Sequence, residues 1–140
     1  MSMRVLILCT GNSCRSQMAE AFLRNLRPGW AVCSAGTVPA REVHPLAIKV
    51  MAEVGLDISR HQPKSVGQFL SHPFDEVITV CDDARENCPI FTGRVIHRRH
   101  LGFVDPARAV GTEEEVLTVF REVRDAIGEG FGDWLGELSA

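Results

Sequence analysis

The chain has 140 residues, of which 45% are hydrophobic and 24% charged, and its formal net charge is −3. These values are typical of one soluble globular domain, so we expect a single domain over residues 1–140. The small negative charge gives no reason to expect nucleic acid or an anionic membrane as a partner. The apolar stretch "VLILC" near the start is too short to span a bilayer and leads into a polar loop, so we expect a cytoplasmic protein.

The predicted elements alternate between apolar strands and helices with apolar residues at helical spacing. The first half of the chain predicts a strand "RVLILC", a helix over 16–26, a strand "WAVCSAG" and a helix over 44–54. Pro45 at the start of that second helix and Gly55 just past its end suit the two ends of a helix. The second half predicts a short helix near 65–70, a strand "DEVITVC", a loop and helix over 82–88, and a strand "RVIH".

A long helix closes the chain. Thr112 and Glu115 have the spacing of a capping box at its start. Its apolar stripe consists of Val116, Phe120, Val123, Ile127, Phe131 and Trp134. The three glycines Gly128, Gly130 and Gly132 weaken this helix, so the sequence leaves its end uncertain.

This alternation predicts an α/β fold in three layers, with a mainly parallel sheet flanked by helices. Ligands of such sheets bind beyond the carboxyl ends of the strands. The loops "CTGNSCRS" and "CDDARENC" both begin where a predicted strand ends. We therefore expect residues 9–16 and 81–88 to lie at the same edge of the sheet.

The loop "CTGNSCRS" has the composition of an oxyanion site. Turning from a strand into a helix, it points successive backbone N–H groups inward, and the helix adds its positive N-terminal end. Gly11 permits close approach of the backbone, and Asn12 tolerates a left-handed conformation. The guanidinium of Arg15 can bind two anion oxygens at once. We expect these dipoles to lower the pKa of Cys9, and Ser16 to donate its hydroxyl to the thiolate.

The five cysteines are Cys9, Cys14, Cys33, Cys81 and Cys88. An odd number without a secretory signal favours thiol chemistry in a reducing compartment over a set of structural disulfides. Because no CxxC or CxxH pair is present, we expect neither a metal site nor a bound cofactor.

The stretch "VLILCTGNSCRSQMAEA" resembles the phosphate-binding loop of the low-molecular-weight tyrosine phosphatase superfamily. Within it, the sequence most resembles the thioredoxin-coupled arsenate reductases, through "SAGT", "HPLAIKVMAEVGLDIS", "VITVCDDARENCPI" and "HLGFVDPA". The resemblance implies a four-stranded parallel sheet and a monomer. It also implies that an arsenate or phosphate-like oxyanion binds the loop, whose members are Thr10, Gly11, Asn12, Ser13, Cys14 and Arg15.

The resemblance further implies a relay of thiols. Cys9 attacks arsenate, Cys81 attacks Cys9 to release arsenite, and Cys88 attacks Cys81 to form a disulfide that reduced thioredoxin opens. Asp105, which precedes Pro106, donates a proton to the leaving oxygen. The phosphatases usually follow that Asp-Pro with tyrosine, whereas this chain has no tyrosine and continues with alanine. A tyrosine phosphatase and a non-catalytic thiol sensor remain the alternatives.

The spacing of Cys81 and Cys88 has a geometric consequence. In a continuous helix their Cα atoms would lie about 10 Å apart at the rise of about 1.5 Å per residue. A disulfide requires Cα atoms within about 7 Å. We therefore expect part of 81–88 to be non-helical, and we expect Cys88 to move most when the disulfide forms.

The remaining polar residues and cysteines receive simpler interpretations. Cys14 shapes the loop, Cys33 is expected in the core, and the basic cluster over 97–100 is expected to be solvated. Some related reductases bind potassium beside the loop through residues that match Asn12, Glu20 and Ser34. Because Lys64 stands where an acidic ligand would be expected, we predict that its ammonium contacts Glu20 and that the enzyme does not depend on potassium.

Overall fold

A computed structural model describes residues 2–139. The sheet has four parallel strands in the order β2-β1-β3-β4, which are β1 Arg4–Cys9, β2 Ala31–Gly36, β3 Phe74–Thr79 and β4 Val95–His100. The helices are α1 Arg15–Leu26, α2 Pro45–Glu53, α3 Asp82–Glu86 and α4 Glu113–Ser139, with short 3-10 turns at Val66–Phe69 and Pro106–Arg108. The predicted α/β fold with a parallel four-stranded sheet is confirmed.

The core forms around β1, which is buried from Val5 to Cys9 because it lies inside the sheet with helices packed on it. Helix α1 packs against β1 and β2, α3 packs against β1 and β3, and α4 packs against α1 and α2. No helix within residues 2–139 is both long and apolar enough to cross a membrane.

The ends of α2 follow the predicted signals. Pro45 is its first residue, and the ring Nδ1 of His44 accepts a hydrogen bond from the Leu46 N–H at 3.1 Å. Gly55 follows the helix end with φ of +80°, a conformation that favours glycine. The capping box of α4 is also present, because Thr112 and Glu115 exchange side-chain-to-backbone hydrogen bonds, both of 3.2 Å.

Helix α4 continues through its glycines to Ser139, so the expected weakening does not end it. The physical reason is packing against aromatic rings. A Cβ at Gly128 would lie 3.1 Å from the ring of Phe22, and one at Gly130 would lie 3.0 Å from the ring of Phe103. Both glycines therefore let a ring approach the helix, and the burial of that ring offsets the lower helix propensity.

Strand β4 is longer than predicted, and half of its basic cluster is not solvated. Arg99 forms an ion pair with the buried carboxylate of Glu76 on β3. The Nε2 of His100 lies 3.1 Å from Asp82 Oδ1 at the start of α3. The sequence pattern missed these pairs because each joins side chains from different strands or helices.

Candidate active site

The loop between β1 and α1 carries the predicted nucleophile and the predicted anion-binding arginine. Cys9 is the last residue of β1 and is 3% exposed, and Arg15 is the first residue of α1. Among the described residues, the N–H groups of 11–14 donate to no other protein group. Free N–H donors at a strand-to-helix turn form a site for a tetrahedral oxyanion.

Asn12 holds this loop in shape from within. Its φ of 53° is left-handed, as the sequence predicts. Its buried side-chain amide donates hydrogen bonds to the hydroxyls of Ser16 at 2.8 Å and Ser34 at 2.9 Å. Its carbonyl oxygen accepts from the backbone N–H of Lys64 at 2.9 Å and from the side chain of Gln17 at 3.1 Å. The loop is therefore rigid before any anion binds, and Ser16 keeps its own hydroxyl proton to donate.

Gly36, at the end of β2, is a site residue that the sequence analysis did not single out. It lies opposite Cys9 in the parallel register, and a Cβ there would come within 2.5 Å of the Thr10 carbonyl oxygen. The chain that follows supports the loop, because Val38 N–H donates to the Thr10 carbonyl at 2.9 Å and Ala40 N–H to the Gly11 carbonyl at 2.8 Å. The sequence signal for this role was a glycine at the end of β2, the strand beside the one that ends at Cys9.

Arg15 and Asp105 lie together, as the predicted roles require. An Arg15 Nη donates to the Phe103 carbonyl at 3.1 Å, and the other lies 3.6 Å from Asp105 Oδ2. The buried Nε of Arg15 has no hydrogen-bond partner within the described chain. Asp105 has the extended backbone expected before proline, and its Oδ1 accepts from the Ala107 N–H at 3.0 Å.

The thiols of Cys9 and Cys81 interact near the carboxyl ends of the neighbouring strands β1 and β3. This interaction and burial raise the pKa of Cys9, although the Arg15 charge and the Thr10 N–H act in the opposite direction. The expectation of a lowered pKa for Cys9 is therefore wrong for this state of the protein. The loop sequence shows its own charges but not the second sulfur, which competes with Cys9 for one negative charge.

Negative charge is favoured on Cys81. The interaction with Cys9 lowers the pKa of Cys81 to about 5 despite its burial. The Ala84 N–H also donates to the Cys81 sulfur at 3.4 Å, and the Thr10 hydroxyl oxygen lies 3.4 Å from it. These contacts favour the thiolate of Cys81 over that of Cys9.

The segment from Cys81 to Cys88 is partly non-helical, as predicted. Helix α3 covers only Asp82–Glu86, with Cys81 in extended conformation before it and Asn87 ending it. Cys88 lies beyond the helix and is half-buried, and burial raises its pKa. All five cysteines are free. The movement of Cys88 on oxidation stays a prediction.

The two other cysteines lie apart from this relay. Cys14 is buried before α1, and burial raises its pKa to about 11. Cys33 packs against the core, as expected, but is only partly buried. It lines a groove of about 520 Å³ with Trp30 and Phe74, because β2 is an edge strand of the sheet.

The side chain of Glu20 is buried beneath the loop among three basic side chains. The Ser34 hydroxyl donates to Glu20 Oε1 at 2.8 Å. Lys64 Nζ lies 4.0 Å from the same oxygen, which agrees with the predicted contact. His61 and Arg24 lie 3.6 and 3.5 Å from Oε2. Over residues 2–139 no three His, Cys, Asp or Glu side chains form a cluster that could hold a metal ion.

The fold and this loop define a phosphatase-type oxyanion site, and the sequence comparison agrees. The low molecular weight phosphotyrosine protein phosphatase family matches residues 4–140, so the chain belongs to that family. Its relatives include the arsenate reductase of Bacillus licheniformis, which is 48% identical over 126 residues and 89% of each chain. An arsenate reductase solved in the phosphate-binding state has a TM-score of 0.80 and 34% identity, over 96% of this chain and 98% of that one.

The fold is also that of the tyrosine phosphatase Wzb from Escherichia coli K30. That structure, solved with sulphate, has a TM-score of 0.81 and 23% identity and covers 99% of both chains. Because reductases and phosphatases share the architecture, the fold alone does not separate the two activities.

Proposed function

We propose that the protein reduces arsenate to arsenite, with Cys9 as nucleophile and with electrons supplied by thiols. The observation that carries the proposal is the second thiol beside the nucleophile: Cys81 Sγ lies 3.4 Å from the hydroxyl of Thr10, the residue after Cys9, and the Cys9 and Cys81 thiols shift each other's pKa. Ester hydrolysis needs one thiolate and water, whereas reducing As(V) to As(III) takes two electrons, which one dithiol supplies by becoming a disulfide. The identity of nearly half of the aligned residues to an arsenate reductase supports the same activity.

The substrate oxyanion would bind in the loop from Thr10 to Cys14, with its oxygens on the free N–H groups of 11–14. The guanidinium of Arg15 would bind two further oxygens, and its unpartnered Nε is suited to that role. Gly36 and Asn12 fix the loop in advance, so little ordering cost remains on binding.

In the first step the Cys9 thiolate attacks arsenic. It forms when the proton shared by the pair moves to Cys81, and the Arg15 charge and the Thr10 N–H favour charge on Cys9. The Ser16 hydroxyl, whose oxygen already accepts from Asn12, would donate to the thiolate. Asp105 donates a proton to the departing oxygen, which leaves as water. Asp105 is suited to this role because its contact with Arg15 places it beside the bound oxyanion.

In the second step the Cys81 sulfur attacks the Cys9 sulfur. The electron pair of the sulfur–arsenic bond passes to arsenic, which leaves as arsenite, and a Cys9–Cys81 disulfide forms. Because β3 neighbours β1 and Cys81 Sγ lies 3.4 Å from the Thr10 hydroxyl, Cys81 is near Cys9 before this step. Cys88 then attacks Cys81, which releases Cys9 and leaves a Cys81–Cys88 disulfide.

Reduced thioredoxin is the proposed electron donor that opens this last disulfide. The cysteines flank a five-residue helix, and Cys88 is only partly buried where it packs against the core. The proposal extends to a monomer in the cytoplasm, the compartment in which free thiols and reduced thioredoxin occur together.

The test compares wild type with Cys88→Ser in arsenate-dependent NADPH oxidation, with thioredoxin and its reductase present. We expect turnover in wild type and none in the variant, while both hydrolyse an aryl phosphate, because the oxyanion loop is intact in each. Brisk ester hydrolysis by wild type without arsenate turnover would instead make the protein a phosphatase. Neither activity, with tight binding of arsenite, would make it a thiol sensor.

A further inference from the structure

Cys88 faces a cavity of about 290 Å³ between α3 and β4. The cavity is lined by Val77, Thr79, Arg85, Cys88, Arg98, Arg99 and His100. Cys88, which the proposed relay requires as a nucleophile, therefore shares this cavity with three guanidinium groups and one imidazole. A thiolate is the reactive form of cysteine, and nearby cations stabilise it.

Most of these cations are already paired with carboxylates. Arg99 is bound to the buried carboxylate of Glu76. His100 lies 3.1 Å from Asp82, and the exposed Arg85 side chain lies 4.0 Å from the same carboxylate. Their charges are thus balanced by acidic groups on β3 and α3.

Arg98 differs from the others. Within the described part of the chain it forms no ion pair with a carboxylate. Its guanidinium lies over the ring of Phe91, 5.5 Å from the ring centre, and that ring is buried three residues beyond Cys88. Strand β4 therefore holds an unpaired positive charge against the segment that carries Cys88.

We propose that Arg98 is a positioning residue of the relay, which stabilises the thiolate of Cys88 for attack on the Cys9–Cys81 disulfide. This inference rests on the proposed function. In the step concerned, the Cys88 thiolate bonds to the Cys81 sulfur, the Cys9–Cys81 bond breaks, and its electron pair leaves on Cys9. The exchange involves no net oxidation, because one thiolate and one disulfide are present before and after.

The electrostatics of Cys88 agree with this role. Burial raises the pKa of the Cys88 thiol, and the nearby Arg98 guanidinium opposes that rise. Removing Arg98 leaves burial unopposed, so the thiolate fraction near neutral pH falls about tenfold for each unit that the pKa rises.

The first measurement is the pH dependence of iodoacetamide alkylation at Cys88, followed by peptide mass spectrometry. The variants are Arg98→Gln, Arg98→Lys and the matched control Arg94→Gln, which removes an exposed charge just before β4. We expect Arg98→Gln to alkylate about three- to tenfold more slowly near neutral pH and to equal wild type once the pH exceeds both pKa values. Arg98→Lys should recover most of the rate, and Arg94→Gln should match wild type. Superimposed profiles for Arg98→Gln and wild type would overturn the proposal.

The second measurement follows one turnover of arsenate with quenching and disulfide mapping. In Arg98→Gln the Cys9–Cys81 disulfide should accumulate before it converts to Cys81–Cys88, and the excess should vanish at high pH. Aryl phosphate hydrolysis should not change. A slower conversion that persists at high pH would indicate a role in folding the segment and would overturn the electrostatic proposal. If wild type forms no disulfide with arsenate, the proposed function fails, whereas the alkylation profile still decides the effect of Arg98 on Cys88.

Discussion

Replacing Cys81 with alanine is expected to lower the pKa of Cys9. The interaction between the two thiols is the largest influence that raises this pKa, and burial, the second, remains in the variant. A hydrogen bond with one charged partner contributes about 1.5–3 kcal/mol. Losing the Cys81 sulfur should therefore lower the pKa of Cys9 and increase its thiolate fraction by about ten- to a hundredfold at pH values below that pKa.

The assay is the pH dependence of iodoacetamide alkylation at Cys9, read by peptide mass spectrometry so that each cysteine is followed separately. In wild type the Cys81 peptide should be modified at lower pH than the Cys9 peptide, because the pair places its negative charge on Cys81. In Cys81→Ala the Cys9 profile should move to lower pH. Cys33→Ala, which removes a half-buried thiol outside the loop, should leave it unchanged.

An unchanged Cys9 profile in Cys81→Ala would refute the argument that the second sulfur controls the charge on the first. A shift to higher pH would refute it as well, because it would mean that Cys81 stabilises the Cys9 thiolate. Arsenate turnover cannot serve as the readout, since the proposed relay loses its second thiol in this variant.

Three further predictions concern the loop and the last helix. The wild-type rate of arsenate turnover should be the same in potassium and sodium chloride at one ionic strength, because the Lys64 ammonium lies 4.0 Å from Glu20; a several-fold increase in potassium would contradict this. Gly36→Ala should weaken inhibition by phosphate without unfolding the protein, because its Cβ would lie 2.5 Å from a loop carbonyl oxygen. An unchanged inhibition constant would contradict this, because it would show that the loop can shift to accept the methyl group. Gly132→Ala should stabilise the protein to chemical denaturation by up to about 1 kcal/mol, because its Cβ meets no atom within 4 Å. Gly130→Ala should stabilise the protein less than Gly132→Ala, or destabilise it, because its Cβ would lie 3.0 Å from an aromatic ring. Equal gains in the free energy of unfolding for the two variants would contradict the packing argument.

The fold could be predicted because its signals are local. Alternating strands and helices, Pro45 before α2 and the capping pair of Thr112 and Glu115 each depend on neighbours within a few residues. The errors arose where distant residues decide the outcome. The glycines of α4 look weak in sequence, and only the rings packed on them explain why the helix continues.

The sequence predicted the individual residues of the candidate site but not the interaction between Cys9 and Cys81. The sequence indicated the positions of Cys9, Arg15 and Asp105, because strand ends and helix starts are visible in the pattern. It did not indicate that the Cys81 thiol acts on Cys9, and so it gave the wrong direction for the pKa of Cys9. A pKa depends on every charge within a few ångströms, and those distances are set by tertiary packing.

The strand order explains how one loop architecture accommodates both phosphatase and reductase chemistry. Because β3 is the neighbour of β1, Cys81, two residues beyond the end of β3, lies near Cys9 at the end of β1, although 72 positions separate them. The residue after β4 lies one strand further away, and glycine at the end of β2 admits the loop backbone. A thiol able to attack Cys9 therefore fits just beyond β3, and a second thiol beyond the short helix α3 would complete the proposed relay without changing the oxyanion loop.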